Sequence, residues 1–243
     1  MMHGKRAIRN LFCSLVLAAV GHFCQAQTAS VNVHVQIVRD ARLIKNASNV
    51  VVWLTPLSNP HSGRPEAPAA SHWRLVQSGK QFEPHLLVVP VGAAVEFPNQ
   101  DPFFHNVFSL FEGKRFDLGL YEAGSTRTVR FDKPGISYIF CNIHPQMSAI
   151  VIALSTPYYA VSGHNGAINI AGVPDGRYRV NFWYEGAPAD ELQHLAREVT
   201  VSGPNYSLGL IRLKESRLVQ LSHKNKYGQD YDDPTPATPG YAQ

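Results

Sequence analysis

The stretch "TVRFDKPGISYIFCNIHPQMSAIVIAL", residues 128–154, decides how the chain is read. Its first half reads as strand, Pro134-Gly135 turn and strand, ending at Cys141. "AIVIAL", 149–154, is another apolar strand. Between the two lies "CNIHPQM", 141–147, which places a thiol, an imidazole and a thioether within seven residues. Cys141, His144 and Met147 follow one another at three-residue intervals. A tight loop between strands can turn all three side chains toward one point.

The same strand-and-turn pattern extends outward in both directions. "VNVHVQIV", 31–38, alternates apolar and polar residues, and "NVVVWLTP", 49–56, is more continuously apolar. "HLLVVPVGAAVEF", 85–97, reads as two strands around a turn at Val91-Gly92. Downstream, "NGAINIAGVPDGRYRVNFWYEG", 165–186, has Asn-Gly and Asp-Gly turn signals between alternating strands. "REVTVSG" and "YSLGLIRLK" add two more. "HSGRPEAPAAS", 61–71, reads as an exposed loop, and "PADELQHLAREVT", 188–200, holds at most a short helical turn. No long amphipathic helix is present, so the fold class is all-β with sandwich architecture. From about Lys214 the chain turns polar. A tail over 215–243 has little to bury and is expected to be disordered.

The N-terminus indicates a compartment. Lys5, Arg6 and Arg9 precede the apolar run "LFCSLVLAAVGHFC", which is short for a membrane span, and Ala26 follows at signal-cleavage spacing. Residues 1–26 are expected to be a cleaved signal peptide, leaving an exported chain that starts near Gln27, with no stable membrane insertion. Two of the three cysteines, Cys13 and Cys24, would leave with it, so 3 − 2 = 1 and Cys141 remains. A single cysteine in an exported chain is a free thiol or a metal ligand. Cleavage also removes three basic residues, leaving 22 − 3 = 19 Lys and Arg against 18 Asp and Glu, a net charge of +1. Nothing in that balance points to nucleic acid or an anionic membrane surface as partner.

A second donor lies upstream in "FPNQDPFFHNVFS", 97–109, where His105 follows an Asp-Pro turn and sits among Phe103, Phe104, Val107 and Phe108. That aromatic setting suits a water-poor site. Two imidazoles, a thiolate and a weak thioether form a set that favours copper, since thiolate and thioether suit Cu(I) and imidazole suits both oxidation states. Zinc is the competitor, but structural zinc takes four strong N or S ligands and Met is a poor one.

These residues resemble the cupredoxins, and "CNIHPQM" is most similar to the short ligand loop of the amicyanin type. "HNVFS" resembles the family's upstream His-Asn segment. The resemblance covers residues 71–154 and implies a Greek-key β-sandwich with one type 1 copper. It implies His105, Cys141 and His144 as equatorial ligands and Met147 as the axial one. It places the backbone N–H of Asn106 against the Cys sulfur, while Pro145 stiffens the loop beside His144. Asn99 would cross-link loops or simply serve a turn. The other histidines, His34, His61, His72, His85, His164, His194 and His223, carry no such pattern.

The flanks, 28–60 and 156–214, resemble a carboxypeptidase regulatory-like domain through Gly166, Ile168, Ile170, Val173, Pro174, Gly176, Tyr178 and Val180. That resemblance implies a second small β-sandwich split by the copper unit. Three consecutive β modules, or one enlarged cupredoxin, are the alternatives. No Ser-His-Asp set or paired carboxylates stand out, so no catalytic residue is expected and the chain is read as a non-enzyme. The family resemblance implies a periplasmic carrier of single electrons, working with a c-type cytochrome or a periplasmic dehydrogenase or reductase. A copper-delivery accessory and a non-redox interaction protein are the other classes.

Overall fold

The computed structural model describes residues 28–58, 72–110, 113–216 and 224–231. The expected signal segment and the 61–71 loop lie outside them, as do His61 and His223. The described residues are all-β with one short helix. In order it forms β1 (Thr28–Arg39), β2 (Arg42–Ile44), β3 (Val51–Pro56), β4 (Trp73–Arg74), β5 (Val76–Ser78), β6 (Gln81–Glu83) and β7 (Leu86–Pro90). Next come β8 (Ala94–Pro98), β9 (His105–Ser109), β10 (Phe116–Tyr121), β11 (Thr126–Arg130), β12 (Gly135–Cys141) and β13 (Ser148–Leu154). The chain continues through β14 (Tyr159–Val161), β15 (Ala167–Pro174), β16 (Gly176–Trp183), α1 (Ala189–Leu195), β17 (Arg197–Val201) and β18 (Asn205–Lys214). Among the described residues no helix is long and apolar enough to cross a membrane.

The middle of the chain forms a five-stranded sheet, β10-β9-β12-β13-β7, and a three-stranded sheet, β11-β8-β4. Their facing side chains, including Val95, Phe97, Val107, Phe131, Ile139 and Val151, make one buried core. The strands before and after this middle unit pair with each other. β1 runs between β15 and β18, and β3 lies between β14 and β16, with β17 beyond. Alternation along β1 buries Ala29, Val31, Val33, Val35 and Ile37 in a second core shared with β3, β15, β16 and β18.

β13 explains its own composition. Ala149, Val151 and Ala153 face the core of the middle unit. Ile150, Ile152 and Leu154 face the other way, packing with Val88, Val51 and Trp183. A strand buried on both faces has no polar side, which is why "AIVIAL" shows no alternation. This third cluster joins the middle sheets to the sheets built from the chain ends. At its margin His85 donates through Nε2 to Glu185 Oε2 at 2.8 Å, and its Nδ1 lies 3.2 Å from the Ser148 carbonyl.

Of the tail expected over 215–243, only 215–216 and 224–231 are among the described residues. Lys224–Tyr231 is placed, and it returns to the middle unit with hydrogen bonds to Asn142, Asp117 and Cys141. Its polarity had suggested nothing to bury. Its partners are polar groups, which hydropathy does not register.

Candidate metal centre

Strand register brings the site together. β12 pairs with β9 so that Cys141 lies opposite Val107 and Phe140 opposite Phe108. Opposed residues share a sheet face, and so do residues two apart. Cys141, Val107 and His105 therefore point into the same core, although Cys141 and His105 are 36 residues apart. Phe140 and Phe108 point the other way, with ring centroids 5.9 Å apart.

The ladder between β12 and β13 stops at Phe140↔Ser148. Residues 141–147 bridge the gap as a tight loop. The Cys141 N–H donates to the Met147 carbonyl at 3.1 Å, and the Met147 N–H donates to the His144 carbonyl at 3.0 Å. This fold-back swings His144 toward Cys141. Cys141 Sγ then lies 3.5 Å from His105 Nδ1 and 3.5 Å from His144 Nδ1. Metal bonds of about 2.0–2.3 Å at tetrahedral angles would set such donors about 3.6 Å apart, so the three atoms fit a single first-row ion. Among the described residues this is the one cluster of its kind. Cys141 and His105 are fully buried and His144 is half-buried. Met147 is buried in the same core as Cys141. Pro145 is exposed beside His144.

Asp101 is the residue that the sequence reading missed. Its carboxylate is 6% exposed and accepts three N–H bonds. They come from Gly79 at 2.7 Å, Lys80 at 3.0 Å and His105 Nε2 at 2.9 Å. Gly79 and Lys80 are the two-residue turn between β5 and β6, both with φ near +60°. Such a turn directs consecutive N–H groups outward, and Asp101 caps them. An ionised carboxylate can only accept, so Nε2 carries a proton and Nδ1 is the nitrogen turned to the cluster. The signal available in sequence was an acid four residues before the histidine, which read as a turn residue. Asn99 holds the connecting loop. Its Nδ2 donates to the Phe103 carbonyl at 2.8 Å and its Oδ1 accepts the Asp101 N–H at 3.0 Å.

The aromatic wall differs from expectation. Phe103 packs on both imidazoles, 5.3 Å from His105 and 5.5 Å from His144 between centroids. Phe104 is 51% exposed, and Phe108 is on the opposite sheet face. Strand alternation separates neighbours that sequence proximity had grouped.

The electrostatics ease ionisation of the thiol. Burial pushes the Cys141 thiol up, but the His105 hydrogen bond and backbone N–H groups of Asn106, Ile143 and His144 outweigh it and hold the pKa below the ordinary value. Burial likewise works to lower His105, yet its bonds to Cys141 and Asp101 raise it overall. His144 is lowered, by burial first and then by the nearby His105 and Lys80 charges. A soft metal ion needs the thiolate and an unprotonated Nδ1, so its binding would displace the proton that Nδ1 shares with Sγ. The remaining described histidines, His34, His72, His85, His164 and His194, are outside the cluster.

No protein-family model matches the chain, and no curated protein matches it. Among solved structures, it is similar to a copper-containing nitrite reductase from Thermus scotoductus SA-01 at 27% identity. That match covers 35% of this chain and 22% of the reductase, with a TM-score of 0.33. It is similar to a purple cupredoxin from Nitrosopumilus maritimus at 23% identity, over 34% of this chain and 99% of that one, TM-score 0.32. It is also similar to amicyanin from Paracoccus versutus at 20% identity, over 38% and 89%, TM-score 0.32. The chain thus spans about a fifth of the reductase it matches.

Proposed function

We propose that the protein is an exported type 1 copper protein of cupredoxin type, carrying single electrons in the periplasm. One observation carries this reading. A buried cysteine sulfur has two histidine Nδ1 atoms, each at 3.5 Å, with a buried methionine in the same core. Copper bound there would supply a one-electron Cu(II)/Cu(I) couple, and its preference for thiolate with imidazole matches this donor set. His105, Cys141 and His144 would hold it in the plane, and Met147 would be the weak fourth ligand.

The protein's own groups prepare that site before any ion arrives. Asp101 fixes the tautomer and ring angle of His105. The N–H groups of Asn106, Ile143 and His144 hold negative charge on sulfur. Phe103 packs on both imidazoles. The half-buried His144 is the donor nearest solvent, flanked by Ile143 and Pro145, both exposed. That apolar rim suits brief docking of a redox protein such as a c-type cytochrome or a periplasmic dehydrogenase or reductase, for which a small interface is enough. No side chain is assigned a catalytic role, so the protein is read as a non-enzyme. The sheets built from the chain ends would be a carboxypeptidase regulatory-like sandwich that carries the copper unit.

The test is to load purified protein with copper(II) and record visible and EPR spectra. An intense blue thiolate-to-copper band with narrow hyperfine splitting is expected, and Cys141→Ser should abolish it. A copper-loaded wild type without that band would overturn the assignment.

A further inference from the structure

Residues 224–231 end on the loop that carries the donor atoms. The segment is a self-built turn. Asn225 Oδ1 accepts the N–H groups of Tyr227 and Gln229, each at 3.0 Å, and the Gly228 N–H donates to the Asn225 carbonyl at 2.9 Å. Gly228 has φ +78°, which a glycine adopts without strain. From this turn three contacts reach inward. The Lys226 N–H donates to Asn142 Oδ1 at 2.8 Å. The Lys226 ammonium donates to Asp117 Oδ2 at 2.8 Å, while Asp117 Oδ1 accepts from Asn106 Nδ2 at 2.9 Å. The Tyr231 hydroxyl donates to the Cys141 carbonyl at 2.8 Å.

Each contact falls on Cys141, on Asn142 next to it, or on Asn106 next to His105 through Asp117. A strap serving only to tether the chain end would have no need to converge there. We propose that Lys226 and Tyr231 are positioning residues for Cys141, clamping its loop from outside so that the sulfur stays beside the two histidines. The clamp stands on hydrogen bonds within the polypeptide. Its consequence for copper rests on the function proposed above.

The experiment uses the full chain with Tyr231→Phe, Lys226→Pro and the pair combined, with Tyr227→Phe as control. Tyr227 is 72% exposed. Proline removes the Lys226 N–H and ammonium together. In metal-free protein, modification of Cys141 by an aromatic disulfide reagent is followed at the Cys141 peptide by mass spectrometry. Losing one such bond should speed loop opening about fivefold, so Tyr231→Phe should raise the rate about that much and the double variant on the order of twentyfold or more. Urea midpoints should fall in the same order, because unfolding loses the same bonds, while every variant stays fully folded without urea. In copper-loaded protein, release to EDTA should accelerate in the same order, and the EPR hyperfine splitting should change. Cys141 modification within twofold of wild type in both Tyr231→Phe and the double variant would overturn the clamp. Faster modification in a protein that takes up copper without a blue band would uphold the clamp and sink the copper reading.

Discussion

Asp101→Ala tests the part of the site that holds His105. The substitution removes the acceptor for three N–H groups at once. Those of Gly79 and Lys80 belong to exposed residues and can regain water, so each should cost about 0.5–1.5 kcal/mol. The His105 Nε2–H is fully buried and has no such recourse, which places its loss at about 1–3 kcal/mol. The sum centres on about 4 kcal/mol, on the order of a thousand-fold in the folded-to-unfolded ratio. Urea unfolding of metal-free protein at pH 7 measures it. Burial opposes ionisation of Asp101, but the N–H groups of Lys80, His105 and Gly79 prevail and lower its pKa. A depressed carboxylate pKa stabilises the fold above the unfolded value, near 3.9, and loses that effect as pH falls through the folded pKa. The gap between wild type and variant should therefore widen as pH falls to about 6.5, because Asp101 also raises the His105 pKa, hold to about 4 and shrink below. Copper affinity, measured by competition with a chelator, should fall about 10–100-fold because the imidazole is no longer oriented. A stability loss under about 1 kcal/mol together with copper affinity within twofold of wild type would refute the reasoning.

The other predictions concern the fourth ligand and the joint between the sheets. Met147→Leu should shift the reduction potential in voltammetry while copper stays bound, because a thioether is the weakest donor of the set; loss of the metal would show that Met147 is a primary ligand. His85→Gln should destabilise the protein in acid and not in base. The Glu185 hydrogen bond, opposed by burial, raises the His85 pKa, so its contribution is complete below about 6.5 and fades as pH rises through the folded pKa. The pair is well exposed, so the effect should stay under about 1 kcal/mol; melts that differ equally at pH 5.5 and 9 would contradict it. Trp183→Ala should cost about 3–5 kcal/mol in urea unfolding, since this ring is 4% exposed in the cluster between the two sets of sheets. A loss below about 1 kcal/mol would mean that the joint does not depend on it.

Local chemistry was legible in the residues. Alternation in "VNVHVQIV", the Pro134-Gly135 turn and the three-residue spacing of Cys141, His144 and Met147 depend on neighbours in the chain, and period and spacing are properties of a string. Pairing over distance was not legible. His105 meets Cys141 because Cys141 lies opposite Val107, and a slip of one residue would turn His105 out of that core. The same parity sends Phe108 to the far face. Asp101 acquires its role only when the turn at Gly79 and Lys80 is carried to it by sheet pairing, which no local pattern encodes. "AIVIAL" announced an apolar strand, but that its two faces enter two different cores depends on Trp183 and Val51 arriving from distant segments. The clamp at Tyr231 follows the same logic. A tyrosine in a polar tail has no distinguishing neighbour, and its partner is a backbone carbonyl 90 residues away. Side-chain type and period act over a few residues, whereas register and sheet packing set which distant groups share a face, and that choice belongs to the whole chain.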